Sequence, residues 1–142
     1  MDNTYVPYNI PVSVKGIVFD NGKIWLRKNE RQEWELPGGK LDRGEQLEQT
    51  IVREMKEELG FDVEAVTPVQ AYLYAIRKSG DESYGVLVVS YLCKLLGKTG
   101  EFELVGEAGK AEFQSFFLND AEALNMPQFY KEAIKRATKI KT

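Results

Sequence analysis

The chain contains no histidine and a single cysteine among its 142 residues. Without histidine, Ser-His-Asp and Cys-His nucleophile machinery cannot be assembled within this chain. Histidine-ligated zinc is excluded too, and one cysteine cannot build a thiolate zinc site. One cysteine also excludes an internal disulfide and fits a reducing compartment. Cys93 lies in the largely apolar run Val88–Leu96 and is expected to be buried and inert. No stretch approaches the roughly 18 apolar residues of a membrane span, so no membrane partner is expected. Met1–Asn9 is polar and lacks a basic segment followed by an apolar run; no secretory leader is expected, and the cytoplasm is the default compartment. Basic excess is missing as well. A formal net charge of −3 argues against general nucleic-acid binding, so no nucleic-acid partner is expected.

What remains is 43% apolar and 29% charged, an ordinary globular composition, and the length fits one domain over residues 1–142. Any chemistry must use carboxylates, Lys, Arg, Tyr or hydroxyls. A metal site would be built from oxygens, which select hard cations such as magnesium or manganese.

Val12–Phe19 reads as a strand, Asp20-Asn21-Gly22 as a tight turn and Lys23–Arg27 as the returning strand. Lys28–Glu35 is charged and reads as a loop. Leu36–Glu45, with Pro37, Gly38, Gly39 and Gly44, is not expected to be regular. Gln46–Leu59 reads as a helix whose apolar stripe is Leu47, Ile51, Met55 and Leu59, with Gly60 as its stop. Asp62–Arg77 reads as one or two strands with a break, Lys78–Ser83 as a turn and Tyr84–Leu96 as a central strand. A long loop over Gly97–Lys110, a short strand over Ala111–Leu118 and a helix over Pro127–Lys139 complete the chain. The helix would bury Phe129, Tyr130, Ala133, Ile134 and Ala137. This order predicts an α/β fold with a mixed sheet and helices on its faces.

The informative segment begins at Gly39 and runs through Glu45 to Arg53-Glu54-Met55-Lys56-Glu57-Glu58-Leu59-Gly60-Phe61. On a helix, Glu54, Glu57 and Glu58 fall within an arc of roughly 100° that borders the apolar stripe. Three like charges so spaced repel one another, and they lie toward the helix's C-terminal half, where the macrodipole disfavours anions. Alone, three glutamates would be read as a solvated helix face. The glycine approach Pro37-Gly38-Gly39, the arginine one turn before Glu57 and the fixed offsets overturn that reading. A divalent cation turns repelling oxygens into ligands and can bridge them to substrate phosphates. Gly38 and Gly39 let backbone come close to the same ion, and Arg53 is placed to hold Glu57.

These residues resemble the Nudix box of the Nudix (MutT-like) hydrolase family. Gly39, Glu45, Arg53, Glu54, Met55, Glu57, Glu58, Gly60 and Phe61 fill every defined position. Trp34-Glu35-Leu36-Pro37-Gly38 looks like the family's lead-in. The resemblance implies a Nudix-type α/β/α sandwich with a central mixed β-sheet. It also implies Mg²⁺-dependent cleavage (Mn²⁺ being a possible substitute) of the diphosphate linkage of a nucleoside diphosphate derivative. Glu54, Glu57 and Glu58 would be metal ligands, with the Gly39 carbonyl as a further one. Glu54 is a candidate base, a role that differs among family members, and Glu57 and Arg53 join it in the catalytic set. Arg53 would orient Glu57, and Glu45 would brace the loop, with Gly38 and Gly60 as structural supports.

Many family members add one acidic group from outside the box. Glu112 is the candidate, against the alternative of an exposed strand glutamate, with Glu101, Glu103 and Glu107 as competitors. Arg27, Lys28 and Arg31 are candidates for phosphate binding, against solvated surface charge. Tyr8, Tyr72, Tyr74 and Tyr84 are candidates for stacking on a base, against simple packing.

Two family markers are missing. Arg77 stands where the ADP-ribose type carries proline, and Lys78 near where the diadenosine polyphosphate type carries tyrosine. Both absences count against those substrates, leaving nucleoside triphosphates and nucleotide sugars among the choices. An isomerase on the same fold would draw on cysteine and a histidine-rich metal site, which this chain lacks. A non-catalytic nucleotide-sensing module is the alternative, although such modules often have degraded boxes. A homodimer is the family's expectation.

Overall fold

The computed structural model describes residues 4–75, 85–99 and 112–140. Strand β1 (Val12–Asp20) turns through Asn21 and Gly22 into β2 (Lys23–Lys28). Both turn residues have positive φ, 51° and 79°, the conformation of a hairpin turn whose twist matches that of its strands. β3 (Trp34–Glu35) and β4 (Gly38–Lys40) follow, then α1 (Leu47–Leu59), β5 (Phe61–Ala75), β6 (Gly85–Lys98), β7 (Glu112–Phe117), α2 (Leu118–Glu122) and α3 (Gln128–Thr138).

The strands form a mixed sheet in the order β3-β2-β1-β6-β5, with β4 on β1 and β7 on β2. β1 runs parallel to β6 along Val12–Val18. Its other edge is divided. Ser13–Lys15 pair with β4, and only Phe19 and Asp20 pair with β2. Between these two attachments the Gly16 N–H donates to the Pro37 carbonyl at 2.8 Å. The fork fixes the loop that carries Gly38 and Gly39 against the middle of the sheet.

Period-two alternation on β1 sends Val14 and Val18 to one face and Ile17 to the other. The first face packs on α1 through Ile51, Met55 and Leu59, the second on α3 through Tyr130, Ala133, Ile134 and Ala137. Ile51 and Met55 are fully buried. Burying such a side chain is worth about 1.5–3 kcal/mol over leaving it exposed, so the stripe pins the glutamate-bearing helix firmly. The result is a mixed sheet between two helical layers, the arrangement expected from the sequence.

Several local readings need correction. Lys28–Glu35 is not all loop: Lys28 ends β2, and Trp34–Glu35 pairs with it as β3. Gly38–Lys40, expected to be irregular, is an antiparallel partner of β1. Short strands of two or three residues carry too little periodicity to be seen in a sequence. Phe61–Ala75 is one strand whose register against β6 shifts between Asp62 and Val63, Ala65 and Thr67, and Pro68 and Gln70. Bulging absorbs Pro68 without ending the strand. β6 reaches Lys98, beyond the expected Leu96, and α2 has no counterpart in the sequence reading. The expected turn at 78–83 and most of the loop at 97–110 lie outside the described residues.

Candidate active site

Helix α1 begins at Gln46, whose backbone N–H donates to the Gln49 side chain at 2.7 Å. It ends at Gly60 in the left-handed conformation, with the Gly60 N–H returned to the Lys56 carbonyl at 3.0 Å. With Ile51, Met55 and Leu59 buried, the adjacent arc sets Glu54 and Glu58 against β4 and leaves Glu57 exposed.

Arg53 is the hub of this arc. Its Nε and Nη2 donate to the two carboxylate oxygens of Glu45 at 2.7 and 2.9 Å. Its Nη1 donates to Glu54 at 2.9 Å and to Glu57 at 3.2 Å. Planar, bidentate pairing of this kind needs arginine rather than lysine. The Arg53 guanidinium, helped by the Thr50 hydroxyl, holds the Glu45 carboxyl down at about 2, and Arg53 itself is held protonated chiefly by Glu45. Arg53 thus ties Glu45 to α1 and contacts Glu57. Arg53 also binds Glu54, which sequence reasoning did not anticipate.

Glu58 points the other way. Its Oε1 accepts the Gly38 N–H at 3.0 Å, and its Oε2 lies 4.0 Å from Arg27 Nε. Burial, with the charge of Glu54 adding to it, pushes the Glu58 carboxyl up to about 7 despite the opposing charges of Lys15 and Arg27. Glu57 is the exposed member of the set.

The two glycines are tight in different ways: Gly38 against backbone and Gly39 against a side chain. A Cβ at Gly38 would stand 2.1 Å from the Val14 carbonyl oxygen. A Cβ at Gly39 would stand 2.4 Å from the Glu54 carboxylate. The bare Cα of Gly39 therefore lets the Glu54 carboxylate pack directly against the backbone of β4.

Among the described residues, no three acidic side chains already stand in an ion-holding group. Arg53 occupies the facing oxygens of Glu54 and Glu57. The residues nonetheless fit a hard cation: the donors are all oxygens, the missing Cβ of Gly39 brings a backbone segment against the Glu54 carboxylate, and Glu54, Glu57 and Glu58 project from one arc of α1.

The structure does not bring Glu112 to this group. β-sheet register sets Glu112 opposite Lys28, whose ammonium lies 5.7 Å over the Trp34 ring. The alternate pair, Arg27 and Phe113, faces α1. Glu101, Glu103 and Glu107 lie outside the described residues.

A pocket of about 880 Å³ opens on the sheet face that packs on α3, and Glu54, Glu57 and Glu58 are not in its lining. Tyr74, Phe129 and Tyr130 form an aromatic wall, and Lys15, Arg31 and Glu35 supply charge. Of the three basic candidates, Arg31 lines this pocket. Arg27 is held by Glu35 at 2.6 Å beside Glu58, and Lys28 is turned toward Trp34. Of the tyrosines, Tyr74 lines the pocket, and Tyr72 stacks on Phe129 with centroids 4.2 Å apart. Tyr8 stands outside the pocket wall, and Tyr84 outside the described residues. Sequence reasoning missed Lys15. The signal was available: a lysine at an inward position of a strand buried on both faces is an outlier.

A mixed sheet between helical layers, with a glycine loop clamped to a glutamate-rich helix, defines the Nudix class of fold. The NUDIX domain model matches residues 9–137, and the chain belongs to the Nudix family. It is 36% identical over 83 residues to an ADP-ribose pyrophosphatase of Bacillus subtilis, covering 55% of this chain and 44% of the relative. It is 32% identical over 118 residues to an ADP-ribose pyrophosphatase of Methanocaldococcus jannaschii, covering 80% of this chain and 65% of the relative. The chain thus spans less than two thirds of either relative. Other curated relatives are an 8-oxo-dGTP diphosphatase and an RNA pyrophosphohydrolase. The crystal structure of an ADP-ribose pyrophosphatase from Streptococcus suis superposes with a TM-score of 0.63 at 27% identity, covering 91% of this chain and 90% of that one.

Proposed function

We propose that this chain is a divalent-metal-dependent pyrophosphohydrolase that cuts the diphosphate linkage of a nucleoside diphosphate derivative. The observation that carries the reading is the arc of Glu54, Glu57 and Glu58 on one helix, with Glu54 packed on Gly39, Glu58 tied to Gly38, and Arg53 holding Glu54 and Glu57. Glu54, Glu57, Glu58 and the Gly39 carbonyl would hold Mg²⁺, with Mn²⁺ as a substitute. When bound, such an ion neutralises developing phosphate charge and lowers the pKa of water.

The chain's own residues divide the remaining work. Arg53 fixes the rotamers of Glu54 and Glu57 and keeps Glu45 ionised. A glutamate of the arc takes the proton of the attacking water, with Glu54 the first candidate. Arg27 and Arg31 supply positive charge along the approach to the pocket, and the aromatic wall offers faces for stacking a base.

Glu57→Gln and Glu58→Gln should each lower turnover by roughly 100-fold or more while melting stays near wild type. Turnover like that of the wild type in both, at limiting Mg²⁺, would remove these residues from the mechanism. The substrate is found by a screen of nucleoside triphosphates including 8-oxo-dGTP, ADP-ribose, nucleotide sugars, dinucleoside polyphosphates and 5′-triphosphorylated RNA, with products identified by mass. Nucleotide binding without turnover across the panel would make the chain a sensing module instead.

A further inference from the structure

Lys15 is a buried lysine on β1, with only 10% of its side chain exposed, and it lines the 880 Å³ pocket. Its nearest carboxylate oxygen, Glu35 Oε1, is 3.7 Å away, beyond hydrogen-bond range. That oxygen already accepts from Arg27 at 2.6 Å, and Glu35 Oε2 accepts from Asn29 at 3.3 Å. Among the described residues, then, a largely buried lysine lines a cavity with a single loose ion pair, to Glu35, and no hydrogen-bond acceptor. Its ammonium can donate to an anion that enters the pocket.

A second observation points the same way. In the ladder, Lys15 is level with Ser90, and Ser90 with Gln70. Ser90 Oγ and Gln70 Oε1 are buried without a hydrogen-bond partner among the described residues. Two residues along, the corresponding positions are Ile17 and Leu92, both in the core. A face that only had to pack would continue the aliphatic row. This one instead carries a polar strip up to the pocket floor.

The position of Lys15 identifies what it meets. Glu58 lies 4.0 Å from Arg27, Arg27 lies 2.6 Å from Glu35, and Glu35 lies 3.7 Å from Lys15. Beyond Lys15 the pocket is walled by Tyr74, Phe129 and Tyr130. Lys15 therefore stands between the carboxylate arc and the aromatic wall. In a nucleoside diphosphate derivative, the group between the cleaved linkage and the nucleoside is the phosphate bonded to the nucleoside. We propose that Lys15 binds this phosphate through its ammonium, so that the pocket recognises a nucleoside monophosphate unit rather than a bare nucleoside.

This assignment rests on the function proposed above, and the test separates the two. Calorimetry with Mg²⁺ would compare AMP with adenosine and dGMP with deoxyguanosine, for the wild type, Lys15→Met and Lys15→Arg. For whichever pair the wild type binds, and at Mg²⁺ saturating for each variant, Lys15→Met should weaken the monophosphate roughly 10- to 100-fold and leave the nucleoside unchanged. Lys15→Arg should restore monophosphate binding to within a few-fold. If Lys15→Met melts far below wild type, Lys15→Gln carries the same expectation. Unchanged monophosphate binding, or equal losses for monophosphate and nucleoside, overturns the assignment and leaves the hydrolase reading standing. A lysine acting only as counter-charge to Glu35 and Glu58 would leave the discrimination between monophosphate and nucleoside unchanged at saturating Mg²⁺, and that result overturns the assignment. A wild type that neither binds nor cleaves any nucleotide sinks both readings.

Discussion

Replacing the two adjacent glycines of β4 by alanine separates what holds the fold from what shapes the site. At Gly39 the added methyl would lie 2.4 Å from Cδ and Oε1 of Glu54 and 2.7 Å from its Oε2, against an ordinary contact of 3.4 Å or more. The carboxylate must therefore retreat by about 1 Å, which it can do because it ends a flexible side chain. A magnesium ion tolerates little of this, since its ligands sit at about 2.0–2.1 Å in near-octahedral array. Misplacement by about 1 Å costs on the order of 100-fold in rate, or about 3 kcal/mol of transition-state stabilisation. Stability should barely move, with a melting temperature within about 4 °C of wild type.

At Gly38 the clash is with backbone: 2.1 Å to the Val14 carbonyl oxygen and 2.8 Å to Lys15 Cα, at a φ of 148°. Neither partner can yield without opening the β1–β4 ladder. Gly38→Ala should cost more than about 3 kcal/mol and lower the melting temperature by roughly 10 °C or more. The assays are scanning calorimetry, Mg²⁺ titration and steady-state turnover on the substrate found by the screen. Wild-type Mg²⁺ affinity and turnover in Gly39→Ala would refute the reasoning about Glu54. So would a Gly39→Ala protein that melts as low as Gly38→Ala.

Proton competition at Glu58 should be visible in metal binding. With its carboxyl pushed up to about 7 by burial, the carboxylate needed for binding is scarce at pH 6 and dominant at pH 8, so apparent Mg²⁺ affinity should rise about 10-fold across that interval. The sign for stability is opposite. A raised carboxyl stabilises the metal-free protein fully below about pH 4.5, and that contribution is lost as pH climbs through 7. Glu58→Gln should abolish both trends, and a Mg²⁺ affinity that stays flat in the wild type would contradict this account. Cys93, buried with its thiol pushed up to about 12, should resist a thiol reagent at pH 8 until the chain unfolds. Rapid labelling of the folded protein would count against that placement.

Much of this molecule was legible in residue order alone. The four-residue spacing of Leu47, Ile51, Met55 and Leu59 specified both the helix and its buried face. Once that face is fixed, Glu54, Glu57 and Glu58 have nowhere to go but the adjoining arc. The absence of histidine, together with the box, narrowed the chemistry to oxygen ligands, because these are matters of composition and short-range spacing. Tertiary structure decided the contacts between segments that are distant in the chain. It divided the edge of β1 between β4 and β2, seated Gly38 against Glu58, and turned Glu112 toward the face of Lys28. It also buried Lys15 at the side of the pocket, with only a 3.7 Å ion pair to Glu35. Strand pairing and cavity walls arise from how distant segments meet, and local periodicity carries no record of that meeting.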